Sequence, residues 1–185
     1  MVKYAVVSPG RCASIATHRL FRDLGFDTTH THLYNSNFNQ QIINREIVLV
    51  ERKSMDIKWV CSHLYGQLVF SDQLSWVGPT SSRPAEAIIQ KANQIQWPVV
   101  IPLTTVRTIY NNLQEYYEYK RSCNPKHLFY FEDIVQSKGK VISSMFGSSK
   151  EIRTIETPRV NTYDKLFKNY KMIIKWWERL ANAPA

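Results

Sequence analysis

The sequence predicts a three-layer α/β domain with a central, largely parallel sheet, and three observations carry that expectation. Short apolar segments alternate along the chain with longer segments of helical periodicity. The run Ile47-Val48-Leu49-Val50 is continuous and rich in β-branching, as in a strand buried on both faces of a parallel sheet. Near the start, an apolar strand passes through a loop of small residues into a helix, from Tyr4 to Leu20.

The first strand, residues 3–8, holds Tyr4, Ala5, Val6 and Val7 and leads into Pro9-Gly10-Arg11-Cys12-Ala13, with a helix over 14–24. A second strand, 28–34, carries His30 and His32 with the same parity, so both side chains leave one face. The third strand spans 46–51, with a helix over 55–68. Residues 71–83, containing Gly78-Pro79 and several serines, read as a long loop of the kind that binds or covers ligands. Helical patterns occupy 84–94 and 104–121, and Pro98-Val99-Val100-Ile101-Pro102 between them reads as a packed connector because of its two prolines. A fourth strand over 127–131, a helix over 138–146, a basic polar loop over 147–162 and a last helix over 163–180 complete the chain. Trp59, Trp176, Trp177, Tyr116, Tyr117 and Tyr119 are assigned to packing.

The 185 residues suit one domain, 1–185, with a real core, and 44% hydrophobic with 21% charged residues is ordinary globular composition. No run of 18 apolar residues occurs, so no membrane span is expected. The first strand begins at once, leaving no room for a signal peptide. Three cysteines, Cys12, Cys61 and Cys123, have no metal spacing and are odd in number, which suits free thiols and a cytoplasmic location, and no metal site is expected. The net charge of +9 favours anionic ligands. Its basic residues are dispersed, and the most concentrated group, 165–177, reads as an amphipathic helix with a solvated basic face, so nucleic acid is not the expected partner.

Strand, tight loop and helix N-terminus together make an anion site, because the first N–H groups of a helix have no partner within it. Gly10, Cys12, Ala13 and Ser14 are small enough to close around a phosphate-sized group, and Arg11 adds charge. The lysine and second glycine of the nucleoside-triphosphate loop G-x-x-x-x-G-K-[ST] are missing. Ligands of open parallel sheets sit beyond the carboxyl ends of the strands. There the first three strands carry Arg11 and Ser14, then His30 and His32, then Arg52, so these groups are expected on one rim.

With these strand ends laid out, the chain resembles the sulfotransferases that use 3′-phosphoadenosine 5′-phosphosulfate (PAPS). Gly10-Arg11-Cys12-Ala13-Ser14-Ile15 is similar to the family's 5′-phosphosulfate loop, P-K-S-G-T-T or P-R-S-G-S-T. His30-Thr31-His32-Leu33 resembles K-T-H-L, whose histidine is the general base. Val50-Glu51-Arg52-Lys53-Ser54-Met55-Asp56, leading to Ser62, resembles the 3′-phosphate element, R-x-x-x-D followed by a serine. Leu128-Phe129-Tyr130-Phe131-Glu132-Asp133-Ile134 resembles the Y-E-D-[LIM] strand end. The likeness runs in order over residues 3–147. Departures are Gly10 for the loop proline, Ala13 for its glycine, Ile15 for a hydroxyl residue, Ala16 for an adenine-stacking tryptophan, His30 for lysine and Phe131 for tyrosine. Ser62 also follows Arg52 by ten residues, where the family usually has eight.

The resemblance implies a P-loop-nucleotide-hydrolase-like sulfotransferase fold, of a small bacterial or viral type. The implied reaction is sulfuryl transfer from PAPS, with PAP as product, to a hydroxyl or amine of a small-molecule, lipid or glycan acceptor. It implies His32 as general base, Arg11 as catalytic charge and His30 as an auxiliary to them. The nucleotide would be held by Arg11, Cys12, Ala13, Ser14, Ile15, Arg52, Ser62, Phe131 and Arg159. The residues themselves leave other readings open: an ordinary strand–helix turn for the first loop, a strand residue satisfied by a backbone carbonyl for His32, a surface salt bridge for Arg52 with Glu51 or Asp56, a helix-face serine for Ser62, and a solvated loop residue for Arg159. For the whole chain the alternatives are a nucleotide- or polyanion-binding module without catalysis and a small P-loop kinase. Oligomeric state is not encoded in any feature.

Overall fold

Four strands form close to where the sequence places them: β1 (Lys3–Val7), β2 (Asp27–Thr31), β3 (Glu46–Glu51) and β4 (His127–Tyr130), with β2 stopping at Thr31 rather than running to residue 34, so that His32 and Tyr34 lie beyond it. In the computed structural model, which describes residues 2–70, 92–152 and 162–182, the strands make one four-stranded, all-parallel sheet in the order β2-β1-β3-β4. The inner strands are the apolar ones. Ala5, Val6, Val7, Val48, Leu49 and Val50 have no solvent-exposed surface, as expected of a sheet covered on both faces. The chain divides into two compact units, Met1–Ser54 with Asn111–Thr154, and Met55–Tyr110 with Ile155–Ala185.

The first unit contains the sheet. α1 (Ser14–Asp23) joins β1 to β2 and buries Ser14, Thr17, Leu20 and Phe21, the face set by helical periodicity. It ends where Gly25, at φ +93°, supplies the left-handed residue that lets the Phe26 N–H reach Phe21 O at 3.1 Å. The Phe21 ring meets Tyr4 edge-on at 4.9 Å and Phe146 at 5.5 Å, and Phe26 joins the cluster. α2 (Phe38–Ile42) joins β2 to β3. This connection passes back over β1, and right-handed crossovers in opposite directions put α1 and α2 on opposite faces. Phe38 of α2 packs at 5.2 Å against Tyr119, on the part of α4 (Leu103–Ser122) that belongs to this unit. After β4 come α5 (Phe131–Gln136), α6 (Lys140–Ser143) and a 3₁₀ turn over Ser144–Phe146.

In the second unit α3 (Ile57–Phe70) starts at Asp56, whose carboxylate accepts the Trp59 N–H at 3.0 Å, an N-cap. Trp59, Val60, Cys61 and Leu64 are buried, and the Trp59 and Trp177 rings lie 6.0 Å apart. α7 (Tyr163–Leu166) and α8 (Tyr170–Ala181) replace the single helix expected over 163–180. The break has a local cause. Phe167 turns extended, Val99 N–H bonds Leu166 O, and Lys168 N–H bonds Val99 O. The Asn169 side chain then bonds both N–H and O of Ile101, at 2.9 and 2.8 Å. The proline-flanked connector therefore makes one parallel bridge, Val99 to Phe167.

Two further expectations change. The fourth strand stops at Tyr130 and the chain turns directly into α5, so Phe131, Glu132 and Asp133 form a helical first turn. The helix expected over 138–146 is α6 followed by the 3₁₀ turn. The loop expected over 71–83 and most of the helix expected over 84–94 lie outside the described residues.

Candidate functional site

β1 and β3 are neighbours whose chains leave in opposite directions, β1 toward β2 and β3 toward β4. The carboxyl ends of such a pair form the crevice where open α/β sheets bind ligands. Both arginines singled out in the sequence follow these two strands.

The loop after β1 is built from left-handed residues: Gly10 at φ +94°, Arg11 at +55° and Ala13 at +61°. Outside glycine this conformation costs about 1–2 kcal/mol per residue, and it persists only where the surroundings impose it. Here Gly10 N–H donates to Ser8 Oγ at 3.2 Å, and the buried Cys12 thiol donates to Gly10 O at 3.0 Å. Left-handed residues at this density curl successive amides toward one concavity, a geometry that takes anions. The concavity continues into the first turn of α1, whose N–H groups have no acceptor within the helix. Ile15, on that turn, is 48% exposed.

His30 on β2 and His32 just past its end come to the same place. His32 Nδ1 lies 2.8 Å from Ser8 O, and a carbonyl only accepts, so Nδ1 carries the proton and Nε2 keeps the lone pair in the neutral ring. Ser8 Oγ, 3.3 Å from the same nitrogen, donates to Ser14 Oγ at 3.0 Å. Ser14 Oγ lies 2.9 Å from His30 Nε2 and, already accepting from Ser8, directs its own proton there. Ser8 and Ser14 are buried, at 0% and 4% exposure. The two imidazoles meet edge-on at 4.7 Å, and Tyr34 stacks on His32 at 5.0 Å with 12° between planes. Burial lowers the His32 pKa, opposed by its bond to the Ser8 carbonyl. Burial, then the charges of His32 and His18, hold His30 well below the ordinary histidine value. Both rings are neutral near pH 7. The Tyr34 phenol pKa is raised by surrounding protein, with the Arg11 charge working the other way.

Arg52 follows β3 and turns back to the loop. Its Nε donates to Arg11 O at 3.1 Å, and its guanidinium carbon lies 4.0 Å above the centre of the Phe131 ring. The segment is braced from α5: Lys53 N–H donates to Glu132 Oε2 at 3.0 Å and Lys53 Nζ to Asp133 Oδ1 at 2.6 Å. The carboxylates considered as partners for Arg52 have other work. Glu51 accepts from Tyr116 Oη at 3.1 Å and Lys120 Nζ at 2.6 Å, and Asp56 caps α3.

Arg11, Cys12, Ala13, Ser14, His30, His32, Arg52 and Phe131 thus belong to one contact network at the carboxyl end of the sheet. Within it the Ser14 hydroxyl is held between Ser8 and His30, so what Ser14 offers the loop is its backbone N–H. A neutral His30 supplies hydrogen bonding rather than positive charge. Ser62 stands on α3 of the second unit, and Arg159 lies outside the described residues. Sequence reasoning passed over Ser8, the hub of the network. Its one signal is a serine set directly after an apolar strand, which becomes a wholly buried hydroxyl. The stacking of Tyr34 and the bracing by Glu132 and Asp133 were likewise unassigned. Among the described residues no group of three His, Cys, Asp or Glu side chains forms a metal-ligand set, and no helix is long and apolar enough to cross a membrane. Comparison with protein-family models, curated proteins and solved structures gives no match.

Proposed function

We propose that this protein is a sulfotransferase that moves the sulfuryl group of PAPS to a hydroxyl or amine of a small-molecule, lipid or glycan acceptor. The observation that carries the reading is the convergence of the three strand ends, in which Arg52 Nε bonds Arg11 O while His32 Nδ1 bonds Ser8 O. The donor set suits the ligand. A left-handed amide nest with Arg11 answers the 5′-phosphosulfate. Arg52 has further guanidinium N–H groups beside its Nε for a 3′-phosphate, the feature that separates PAPS from ATP-type nucleotides. Its other face is covered by Phe131, which stiffens the guanidinium.

The chemistry asked of the chain is mainly placement and fixed charge. Sulfuryl transfer, like phosphoryl transfer, proceeds through a loose state with attacking and leaving oxygens in line. His32 Nε2, which keeps the lone pair of the neutral ring, takes the proton of the acceptor as that group attacks sulfur. Ser8 O holds the tautomer that makes this nitrogen the base. Arg11 and the loop amides stabilise charge growing on the phosphate oxygen that leaves, without giving up a proton. Tyr34, 47% exposed and stacked on His32, fixes the plane of the ring at the acceptor side. The free thiols of Cys12, Cys61 and Cys123 fit a reducing cytoplasm.

A thermal-shift series with adenosine 3′,5′-bisphosphate, AMP, ADP and ATP tests the reading. The bisphosphate is expected to raise the melting temperature selectively. An equal shift with ATP would favour a kinase-like site, and binding of nucleic acid with steep salt dependence and no response to the bisphosphate would favour a polyanion-binding module.

A further inference from the structure

We propose that His30 is a positioning residue whose proton state sets both the anion loop and the base through the chain Ser14–Ser8. The inference rests on the function proposed above only for the name of that base. The hydrogen bonds run one way. Ser8 Oγ receives the Gly10 N–H at 3.2 Å, faces the Nδ1–H of His32 at 3.3 Å, and sends its single proton to Ser14 at 3.0 Å. Ser14 sends its own to His30 Nε2 at 2.9 Å. The chain therefore ends on an acceptor, and His30 accepts only when Nε2 is unprotonated.

Protonation of His30 reverses the last link. Nε2–H then points at Ser14 Oγ, which receives from His30 and Ser8 together, and the Ser14 proton loses its acceptor inside a buried site, where a hydroxyl without a partner is costly. That proton turns onto Ser8 Oγ, where two N–H groups already point. The links that give way are those to Ser8 Oγ, from Gly10 N–H in the strained loop and from His32 Nδ1. One added proton on His30 thus loosens the loop and the base together.

The groups facing His30 set the sense of its response. His32, one residue beyond β2, and His18 on α1 are the titratable neighbours, with the His18 ring 6.4 Å away and its Nδ1 3.3 Å from Thr28 Oγ1. Arg19 and Arg22 act on His18. β1 presents Val6 opposite His30, and α2, which also packs on β2, carries no titratable residue in Phe38–Ile42. All these charges are positive or absent, so His30 stays neutral until the solution is acidic.

The test is a histidine-labelled NMR titration of the unliganded protein, which needs no substrate. At pH 7.5 the His32 ring is expected as the Nδ1–H tautomer. As pH falls, the Gly10 amide and the His32 ring should both shift at the pH where His30 titrates. In Ser14→Ala, with the chain cut, the His30 titration should persist while the Gly10 amide no longer follows it. In His30→Gln, whose side-chain oxygen still accepts from Ser14, the tautomer should remain and that Gly10 transition should vanish. Gly10 and His32 shifts indifferent to His30 protonation in the wild type would overturn the proposal, whether or not either variant folds. Coupled shifts in a protein that ignores adenosine 3′,5′-bisphosphate would leave the proposal standing and remove only the sulfotransferase reading.

Discussion

Two arginines at opposite ends of the same sheet are held in contrasting ways. Arg45, just before β3 at the amino end, is 16% exposed in its side chain and sends Nη1 to Asp27 Oδ1 at 3.0 Å, to Asp27 O at 3.3 Å and to Tyr4 O at 3.5 Å. A carboxylate neutralises it. Arg52, at the carboxyl end, is steadied by a carbonyl and a ring face, neither of which cancels its charge. The first arrangement ties strands together. The second holds a guanidinium in register and keeps its field directed at the crevice, which is what anion capture requires. Chemical identity is the same, and the partner decides the role.

The sharpest way to break this contrast is at the carboxyl end. His32→Ala should lower sulfuryl transfer by about 10²–10⁴-fold, the usual contribution of a general base, with nucleotide affinity nearly unchanged by calorimetry. Near-normal turnover would mean that another group, or none, takes the proton. Arg52→Ala should weaken adenosine 3′,5′-bisphosphate by roughly 10–100-fold, as expected for charge-assisted bonds to phosphate, and leave AMP affinity unchanged. Arg45→Ala should do the reverse. Loss of its bonds to backbone carbonyls should lower unfolding stability by about 1–2 kcal/mol, read from a denaturant titration, with ligand affinity retained. If both arginine variants changed stability alone, the distinction between the two ends would fall.

Acid should lower stability as well. His18, His30, His32 and, at the start of β4, His127 have lowered pKa values, with burial as the main cause. In the unfolded chain they titrate near 6.5. Just below that pH the unfolded state binds protons that the fold refuses, so stability is complete above it and is lost as pH falls through the lower, folded values. Denaturant midpoints measured from pH 8 to 5 should trace the loss, and His30→Gln should reduce its slope. The Asp27 carboxyl at the amino end is held below the ordinary aspartate value, chiefly by its hydrogen bond to Arg45. The smallest expected change is a gain. Ala13→Gly removes the penalty of a left-handed alanine and should stabilise by about 1 kcal/mol, measured by thermal unfolding.

The inner strands were legible because apolar β-branched runs have few other homes, and all four strand positions match to within three residues, although the polar β2 ends early, at Thr31. The helices broke where tertiary contacts outweigh periodicity. Phe167 leaves its helix to pair with Val99, and Phe38–Ile42 is too short and polar to announce a helix. Phe131 looked like a strand end because an aromatic after His-Leu-Phe-Tyr continues a β pattern, whereas the Glu132-Asp133 pair turns it into a helical first turn. In the site, residue types could be read but their wiring could not. Nothing in the order of residues says that Ser8 lies between Gly10, Ser14 and His32, because those bonds exist only after β2 pairs with β1.

That pairing has an outcome for robustness. Among the described residues β2 is an outermost strand, paired with β1 alone, while the guanidinium-bearing loops hang from the two central strands. Edge elements fray before central ones. On the function proposed above, mild heating or denaturant is expected to detach the imidazole pair first, so that transfer would fail before the arginine-bearing loops release their ligand.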